Sequence, residues 1–323
     1  MKPRKVLITG GNGHVGNTLA KRLCDKGYEV RVTVRNPAEV EAFGIFDGYP
    51  VQVLQADIRD AAALRQAMEG VEGVFQVAAL YHYDEQATGA DEGGDRGIVA
   101  NNTEGVLTVL RVARECRVRR VVLTSSIAAV GFGGTETAPL SEDDWASPAD
   151  PYCRSKRDSE RAAWEYARGH GLDLVALCPS IILGPNFYKH TPSTVNVGAM
   201  VNNQIPFRVP VQLSAVDVRD VADAHILAFE NDSASGRYLV TGANIPDLVD
   251  ALSRLDPDMI VPDRLLSLDE ARALAEKTGM PVELVGQPYR YTDRRIRTEL
   301  GWQPRPIAST LQDTIAWVKT REL

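Results

Sequence analysis

Short apolar runs alternate with helix-spaced patterns over the first 180 residues. The apolar runs Val6–Thr9, Val30–Val34, Val51–Gln55, Gly73–Ala78, Arg120–Thr124 and Leu174–Leu177 predict strands. Between them, Val15, Leu19 and Leu23 recur at spacing four and are followed by Gly27, which predicts a helix and its C-terminal stop. Ala61 to Met68, stopped by Gly70, predicts another. Repeated strand–helix–strand units imply a parallel sheet covered by helices on both faces. Right-handed crossovers then align the strand ends, and a ligand crevice, along one edge.

After Pro179 the pattern loosens, with prolines at 185, 192, 206 and 210 and aromatic residues between them. Helical patterns return at Val218–Glu230, Leu268–Lys277 and Thr310–Lys319. The expectation is a sheet domain over 1–180 plus about 214–241, and a smaller, discontinuous lobe over about 181–213 and 242–323. Asp84 to Gly97 is acidic and glycine-rich, a composition that buries little apolar surface, so a surface loop near the crevice is expected there.

Composition narrows the function classes. A net charge of −7 argues against a dedicated nucleic-acid binder. The one dense basic run, Arg111 to Arg120, lies between a helical pattern and a strand and reads as a solvated helix end complementing the macrodipole. No apolar run has the length of a membrane span, and the N-terminus lacks the pattern of a signal peptide. Cys24, Cys116, Cys153 and Cys178 have no paired spacing, so reduced thiols in a cytoplasmic protein without a metal site are expected.

The chemistry begins at Thr9-Gly10-Gly11-Asn12-Gly13-His14-Val15-Gly16, a glycine turn that closes a strand and opens a helix. Gly10 permits the tight turn, Gly13 lets backbone approach a pyrophosphate, and Gly16 lets the helix pack close to the sheet. The helix N-terminus offers N–H groups and partial positive charge to phosphates. Nineteen residues after Gly16, where an acid would hold an NAD ribose, stands Arg35. A guanidinium can pair with a 2′-phosphate, so NADP(H) is expected over NAD(H). Asp57 is placed either to meet the adenine amino group or simply to begin the next loop, and spacing leaves both open.

Tyr152 and Lys156 lie four apart near the start of a predicted helix, hence on one face. A free tyrosine titrates near pH 10, and lowering that by roughly three units requires about 4 kcal/mol favouring the phenolate. An ammonium roughly 4–5 Å away at an effective dielectric near 20 supplies most of it. Lysine also has donors to spare for cofactor ribose hydroxyls. Twenty-six residues before Tyr152, Thr124-Ser125-Ser126 closes a strand at the sheet edge that carries the glycine turn. A hydroxyl there can bind a substrate carbonyl oxygen.

These residues, with Asp57-Ile58, Val77-Ala78-Ala79, Asn102-Thr103-Glu104-Gly105, Cys178-Pro179-Ser180, Val216 to His225 and Glu299-Leu300-Gly301-Trp302-Gln303-Pro304, resemble the short-chain dehydrogenase/reductase superfamily over essentially the whole chain. The likeness is to its extended branch, which includes dihydroflavonol 4-reductase-like enzymes and sugar-nucleotide epimerases. The resemblance implies an α/β, Rossmann-type doubly wound sheet that binds NADP, with the smaller lobe binding substrate. It implies Tyr152 as general acid/base, Lys156 as its partner and ribose anchor, and Ser126, the last of its run, as the carbonyl-binding hydroxyl. The cofactor would meet Gly10, Asn12, Gly13, His14, Val15, Gly16, Arg35, Asp57, Ile58, Ala78, Ala79, Asn102, Thr124, Tyr152 and Lys156, with Pro179 and Ile182 near the nicotinamide. Tyr81, Ile127, Phe187, Tyr188 and Phe207 are the expected substrate contacts.

The implied activity is NADPH-dependent reduction of a ketone or aldehyde to an alcohol, with a small-molecule carbonyl or alcohol as the only partner besides a second copy of the chain. An NAD-dependent epimerase or dehydratase would place an acid where Arg35 stands, and a silent NADP-sensing regulator would have lost the tyrosine or serine.

Overall fold

The computed structural model describes residues 4–79, 95–147, 151–278, 280, 282–287 and 289–321. The strands are β1 (Lys5–Thr9), β2 (Glu29–Val34), β3 (Val51–Gln55), β4 (Gly73–Gln76), β5 (Arg120–Thr124), β6 (Leu174–Pro179), β7 (Ile181–Leu183), β8 (Leu213–Asp217), β9 (Gly236–Val240) and β10 (Ala243–Ile245). The helices are α1 (His14–Asp25), α2 (Pro37–Ala42), α3 (Ala61–Ala67), α4 (Asp95–Glu115), α5 (Ile127–Val130), α6 (Pro151–His170), α7 (Pro192–Val201), α8 (Val218–Glu230), α9 (Leu248–Ser253), α10 (Leu268–Thr278), α11 (Arg294–Leu300) and α12 (Ile307–Lys319). Among the described residues, no helix is long and apolar enough to cross a membrane.

Seven strands form one sheet in the order β3-β2-β1-β4-β5-β6-β9, with every pairing parallel. This is the doubly wound, Rossmann-type arrangement. Because side chains alternate along a strand, β1 feeds two cores. Val6 and Ile8 join Leu19, Leu23, Phe75 and Phe229 beneath α1 and α8. Leu7 joins Leu64, Val109 and Ala163 beneath α3, α4 and α6.

Local chemistry places the ends. Gly27, at φ +82°, turns its N–H back to the Cys24 carbonyl after α1. Asp60 accepts from the Ala62 and Ala63 N–H groups to start α3. Asn36 accepts from Ala38 to start α2, with Pro37 in the first turn.

Two predicted strands end elsewhere at their carboxyl side. The fourth strand stops at Gln76 rather than Ala78, because the Val77 and Ala78 N–H groups leave the ladder and donate to Thr9 Oγ1 at 3.0 and 3.1 Å. The sixth runs on to Pro179, and β9 pairs along it from Val175↔Gly236 to Pro179↔Val240. Strand β9 was not legible as a strand in the sequence. Beyond Pro179, β7 and β8 pair in parallel and β10 pairs antiparallel to β8, giving a small second sheet. Leu183, Phe187, Val197, Leu252, Leu311 and Ile315 form the core beside it.

Buried polar bonds tie the α1 end of the large sheet to residues 185 and 186, just beyond β7. His14 Nε2 donates to the Pro185 carbonyl at 2.8 Å, and Asn17 Nδ2 donates to the Asn186 carbonyl at 2.9 Å. His225, on α8, donates through Nδ1 to the Val221 carbonyl and accepts from the Thr124 hydroxyl, both at 2.7 Å. Burial pushes both imidazoles down to about 4, so they stay neutral.

This packing sets stability in two testable ways. A side chain at Gly73 would overlap the Phe229 ring, whereas one at Gly169 meets open space. Gly73→Val should cost about 2 kcal/mol in urea unfolding, and Gly169→Ala should gain about 0.5 kcal/mol. For the histidines the folded value lies below the unfolded one, so the unfolded chain binds more protons between pH 6.5 and 4. Stability is therefore full above pH 6.5 and falls toward pH 4, by roughly 2 kcal/mol per ring at pH 5. A urea midpoint unchanged between pH 7 and 5 contradicts it.

Candidate active site

The carboxyl ends of β1, β4, β5 and β6 converge on one sheet edge, and the predicted motifs lie along it. At the end of β1, Thr9 Oγ1 donates to Gln76 Oε1 at 2.7 Å while accepting the two β4-end N–H groups, which ties the turn to β4. Gly10 comes next, at φ +70°, and an added Cβ would lie 3.0 Å from Ala78 Cα. A side chain at Gly16 would overlap the Gly10 carbonyl. Gly13 is different: its added Cβ would meet only that carbonyl, at 3.3 Å, so its outer side stays clear. Gly13 is also the N-cap of α1 and makes no side-chain cap, which leaves the first-turn N–H groups to an anion. These observations fit a dinucleotide pyrophosphate.

Other predicted cofactor residues are placed more variously. Asn12 Nδ2 reaches Glu39 Oε2 at 3.3 Å, and Glu39 also pairs with Lys189 at 2.9 Å. With the His14 ring turned to Pro185, only the His14 main chain faces the turn. Val15 is buried beneath it. Arg35 is exposed at the end of β2, and its carbonyl accepts from Gln55 Nε2 at 3.1 Å. Asp57 Oδ1 accepts from the Arg59 N–H at 2.8 Å and from Arg59 Nε at 3.0 Å. Burial raises the Asp57 pKa, but Arg59, helped by Arg35, outweighs it and holds the carboxyl below its usual range. Asp57 thus grips Arg59 just after β3. Ile58 packs against Gly105 of α4, where a Cβ would overlap it.

On α6, Tyr152 and Lys156 share a face, with Lys156 Nζ 5.9 Å from the Tyr152 ring centroid. Residues 148–150, just ahead of α6, lie outside the described residues, as do Tyr81 and most of the predicted Asp84–Gly97 loop. Lys156 is buried in a small cavity with Ala78, Ala79, Asn102 and Thr124. Burial pushes its ammonium down to about 8, against the pull of the Glu160 carboxylate. It therefore carries its proton at neutral pH. Asn102 Nδ2 donates to Ser155 Oγ at 2.9 Å, fixing α4 against α6.

The serines at the end of β5 face opposite ways, as neighbours in extended chain must. Ser125 Oγ donates to buried Glu160 at 2.5 Å. Ser126, at φ −162° and ψ 155°, caps α5 by accepting the Ala128 N–H at 3.1 Å, which leaves its own O–H as a donor. Ile127 is buried in α5 beside it. Pro179 ends β6, and Ile182 lies in β7.

Three predicted substrate contacts are packed elsewhere. Phe187 is fully buried, 5.5 Å edge-on to His14 and 6.2 Å from Trp317. Tyr188 packs on Trp317 and accepts from Lys21 Nζ at 3.1 Å. Both lie behind the glycine turn, where burial leaves them little surface for a substrate. Phe207 joins a separate apolar cluster with Leu266 and Ala271. Their aromatic character marked them in the sequence, but in these positions it serves packing.

Sequence reasoning missed Glu160 and Arg237, both buried and paired at 2.6 Å behind Lys156. The spacing Tyr152, Lys156, Glu160 could have pointed to the first, since i, i+4 and i+8 share a helix face. Nothing local pointed to Arg237. Among the described residues no group of His, Cys, Asp and Glu could hold a metal ion.

Residues 6–242 match the model of the NAD dependent epimerase/dehydratase family. Cinnamoyl-CoA reductase 1 of Arabidopsis thaliana is 30% identical over 327 residues, covering 97% of this chain and 88% of the relative. Dihydroflavonol 4-reductase of Hordeum vulgare is 30% identical over 286 residues, covering 82% and 78%. Among solved structures, vestitone reductase from alfalfa superposes with a TM-score of 0.76 at 24% identity, covering 98% of each chain. Yeast methylglyoxal/isovaleraldehyde reductase Gre2, complexed with NADPH, does so at 0.77 and 21% identity, again covering 98% of each. The last two likenesses establish the shared fold. With the glycine turn, the Ser-Tyr-Lys arrangement and the family match together, the chain belongs to the NAD dependent epimerase/dehydratase family, as an NAD(P)-dependent oxidoreductase of the extended short-chain dehydrogenase/reductase type.

Proposed function

We propose that this protein reduces a ketone or aldehyde to the alcohol with NADPH, Tyr152 delivering the proton. The observation that carries the reading is the buried ammonium of Lys156 on the helix face it shares with Tyr152, at the sheet edge where Ser126 follows β5 and α1 begins without a side-chain cap. The names of the curated relatives, reductases of cinnamoyl-CoA and of dihydroflavonol, point the same way.

The first turn of α1 and the Gly10–Gly13 backbone would hold the pyrophosphate, with Arg35 on a 2′-phosphate and Lys156 on the ribose. Bound there, NADPH supplies the hydride. Ser126 donates its O–H to the substrate carbonyl oxygen and orients it. As the carbonyl carbon gains the hydride, the C=O π pair moves to oxygen and takes the Tyr152 hydroxyl proton. Lys156, charged at neutral pH, stabilises the phenolate that remains. Ala78 and Ala79, small and at the end of β4, leave room at the edge for the cofactor. The substrate class is a small carbonyl compound, and an aromatic acyl or flavonoid-like carbonyl is the first to test. The proposal includes pairing of two copies through α4 and α6, and a cytoplasmic location.

A panel of aromatic ketones, flavonoid-like compounds and β-keto acyl derivatives, monitored by NADPH oxidation, should reveal turnover. Tyr152→Phe should lower kcat by about 10²–10⁴-fold while NADPH binding, read by fluorescence titration, persists. Unchanged reduction by that variant removes Tyr152 from the chemistry. Arg35→Ser should weaken NADPH binding by about 10–100-fold, the loss of charge-assisted hydrogen bonds, with NADH affinity little altered. Equal weakening of both cofactors, or tighter NADH than NADPH binding by the parent protein, counts against Arg35 as the selector.

A further inference from the structure

We infer that Glu160 is a positioning residue for the Tyr152–Lys156 pair: with Arg237 it forms a buried ion pair that turns Ser125 away from the reacting edge and sets the charge balance behind Lys156. The inference rests on the reading of Tyr152 as proton donor given above.

The geometry is a knot of four elements around one carboxylate. Glu160 is 1% exposed and lies one helical turn beyond Lys156 and two beyond Tyr152. From β5, Ser125 Oγ donates to its Oε2 at 2.5 Å. From α6 itself, Trp164 Nε1 donates to Oε1 at 3.1 Å. From β6, Cys178 Sγ lies 3.8 Å from Oε2. From β9, Arg237 Nε lies 2.6 Å from Oε1. Arg237 Nη1 is committed to the Glu142 and Asp144 carbonyls at 2.9 and 2.8 Å, and its guanidinium lies 3.8 Å from the Trp145 ring centroid. The pair thus clamps the 142–146 segment, which leads toward α6, to the far side of the active-site helix.

Holding Ser125 inward leaves Ser126, the next residue in extended chain, to face the crevice. The ionisable groups around the knot are Lys156 on α6, Cys178 on β6 and Arg237 on β9, with Tyr152 one turn beyond Lys156 on the same helix and Arg161 4.9 Å from the Trp145 ring centroid. On the 142–146 segment, Glu142 caps the Leu239 N–H and Asp144 offers its carbonyl. Burial pushes the Cys178 thiol up, so it stays neutral. Lys156 and Tyr152 therefore meet a compensated pair, one charge of each sign. Removing either partner uncovers the other. Without the carboxylate, every nearby group loses its proton more readily; without the guanidinium, less readily.

The test is ultraviolet difference titration of Tyr152 in the free protein, each variant measured against the same variant carrying Tyr152→Phe. Glu160→Gln should lower the Tyr152 midpoint by about 0.5–1 pH unit, the effect of one charge roughly 12 Å away at an effective dielectric near 20. Arg237→Met should raise it by a similar amount, and the double variant should return it toward the parent value. Shifts of the same sign, or none, overturn the inference, because a purely structural role moves no midpoint in opposite directions. If circular dichroism shows either single variant unfolded, Ser125→Ala decides. Losing that donor leaves the carboxylate less neutralised and should give a smaller shift in the direction of Arg237→Met; no shift or the reverse overturns the inference. None of these measurements needs turnover, so their failure is distinguishable from a failed carbonyl reduction, which strikes the function proposal instead.

Discussion

The β1–α1 turn must pass within van der Waals contact of the end of β4, and it can do so only without side chains. Gly10 lies against Ala78, and Gly16 lies against the Gly10 carbonyl. Thr9 then spends its hydroxyl on β4, accepting the two N–H groups that would otherwise continue that strand. One close approach thereby ends β4, aims α1 at the crevice and leaves its first turn without a side-chain cap. The remaining strand ends fall into line because every strand of the large sheet runs parallel.

Around that edge, buried charge is handled in two ways. The histidines His14 and His225 are kept neutral, each tied to a main-chain carbonyl, and serve as rigid links. Lys156 is buried as well, but the Glu160 carboxylate opposes its loss of charge. Glu160 in turn is held by Arg237, whose own donors are spent on a neighbouring segment. A lone ammonium in that place would be costly, and a lone carboxylate equally so. The site keeps its charges by nesting them.

The glycine turn, the Tyr152–Lys156 spacing and the six leading strands were legible because each is a local signal. Periodicity, the need for φ > 0 at Gly10 and i, i+4 geometry act within one turn or strand. The same reading did not foresee that Phe187 and Tyr188 pack on Trp317, since aromatic residues in a loose segment look alike whether they face a substrate or a core. Strand β9 went unread because its short run, Gly236–Val240, becomes a strand through pairing with β6, about 60 residues earlier.

By itself, then, the sequence determined the α/β class, the order of the leading elements, the glycine turn between β1 and α1 and the shared helix face of Tyr152 and Lys156, because short-range stereochemistry suffices for each. The tertiary structure alone decided that Ser125 spends its hydroxyl on Glu160, that Asp57 grips Arg59, and that Glu160 and Arg237 meet behind Lys156. Those outcomes depend on which distant strands become neighbours, and burial sets the charge state of a side chain only once its neighbours are in place.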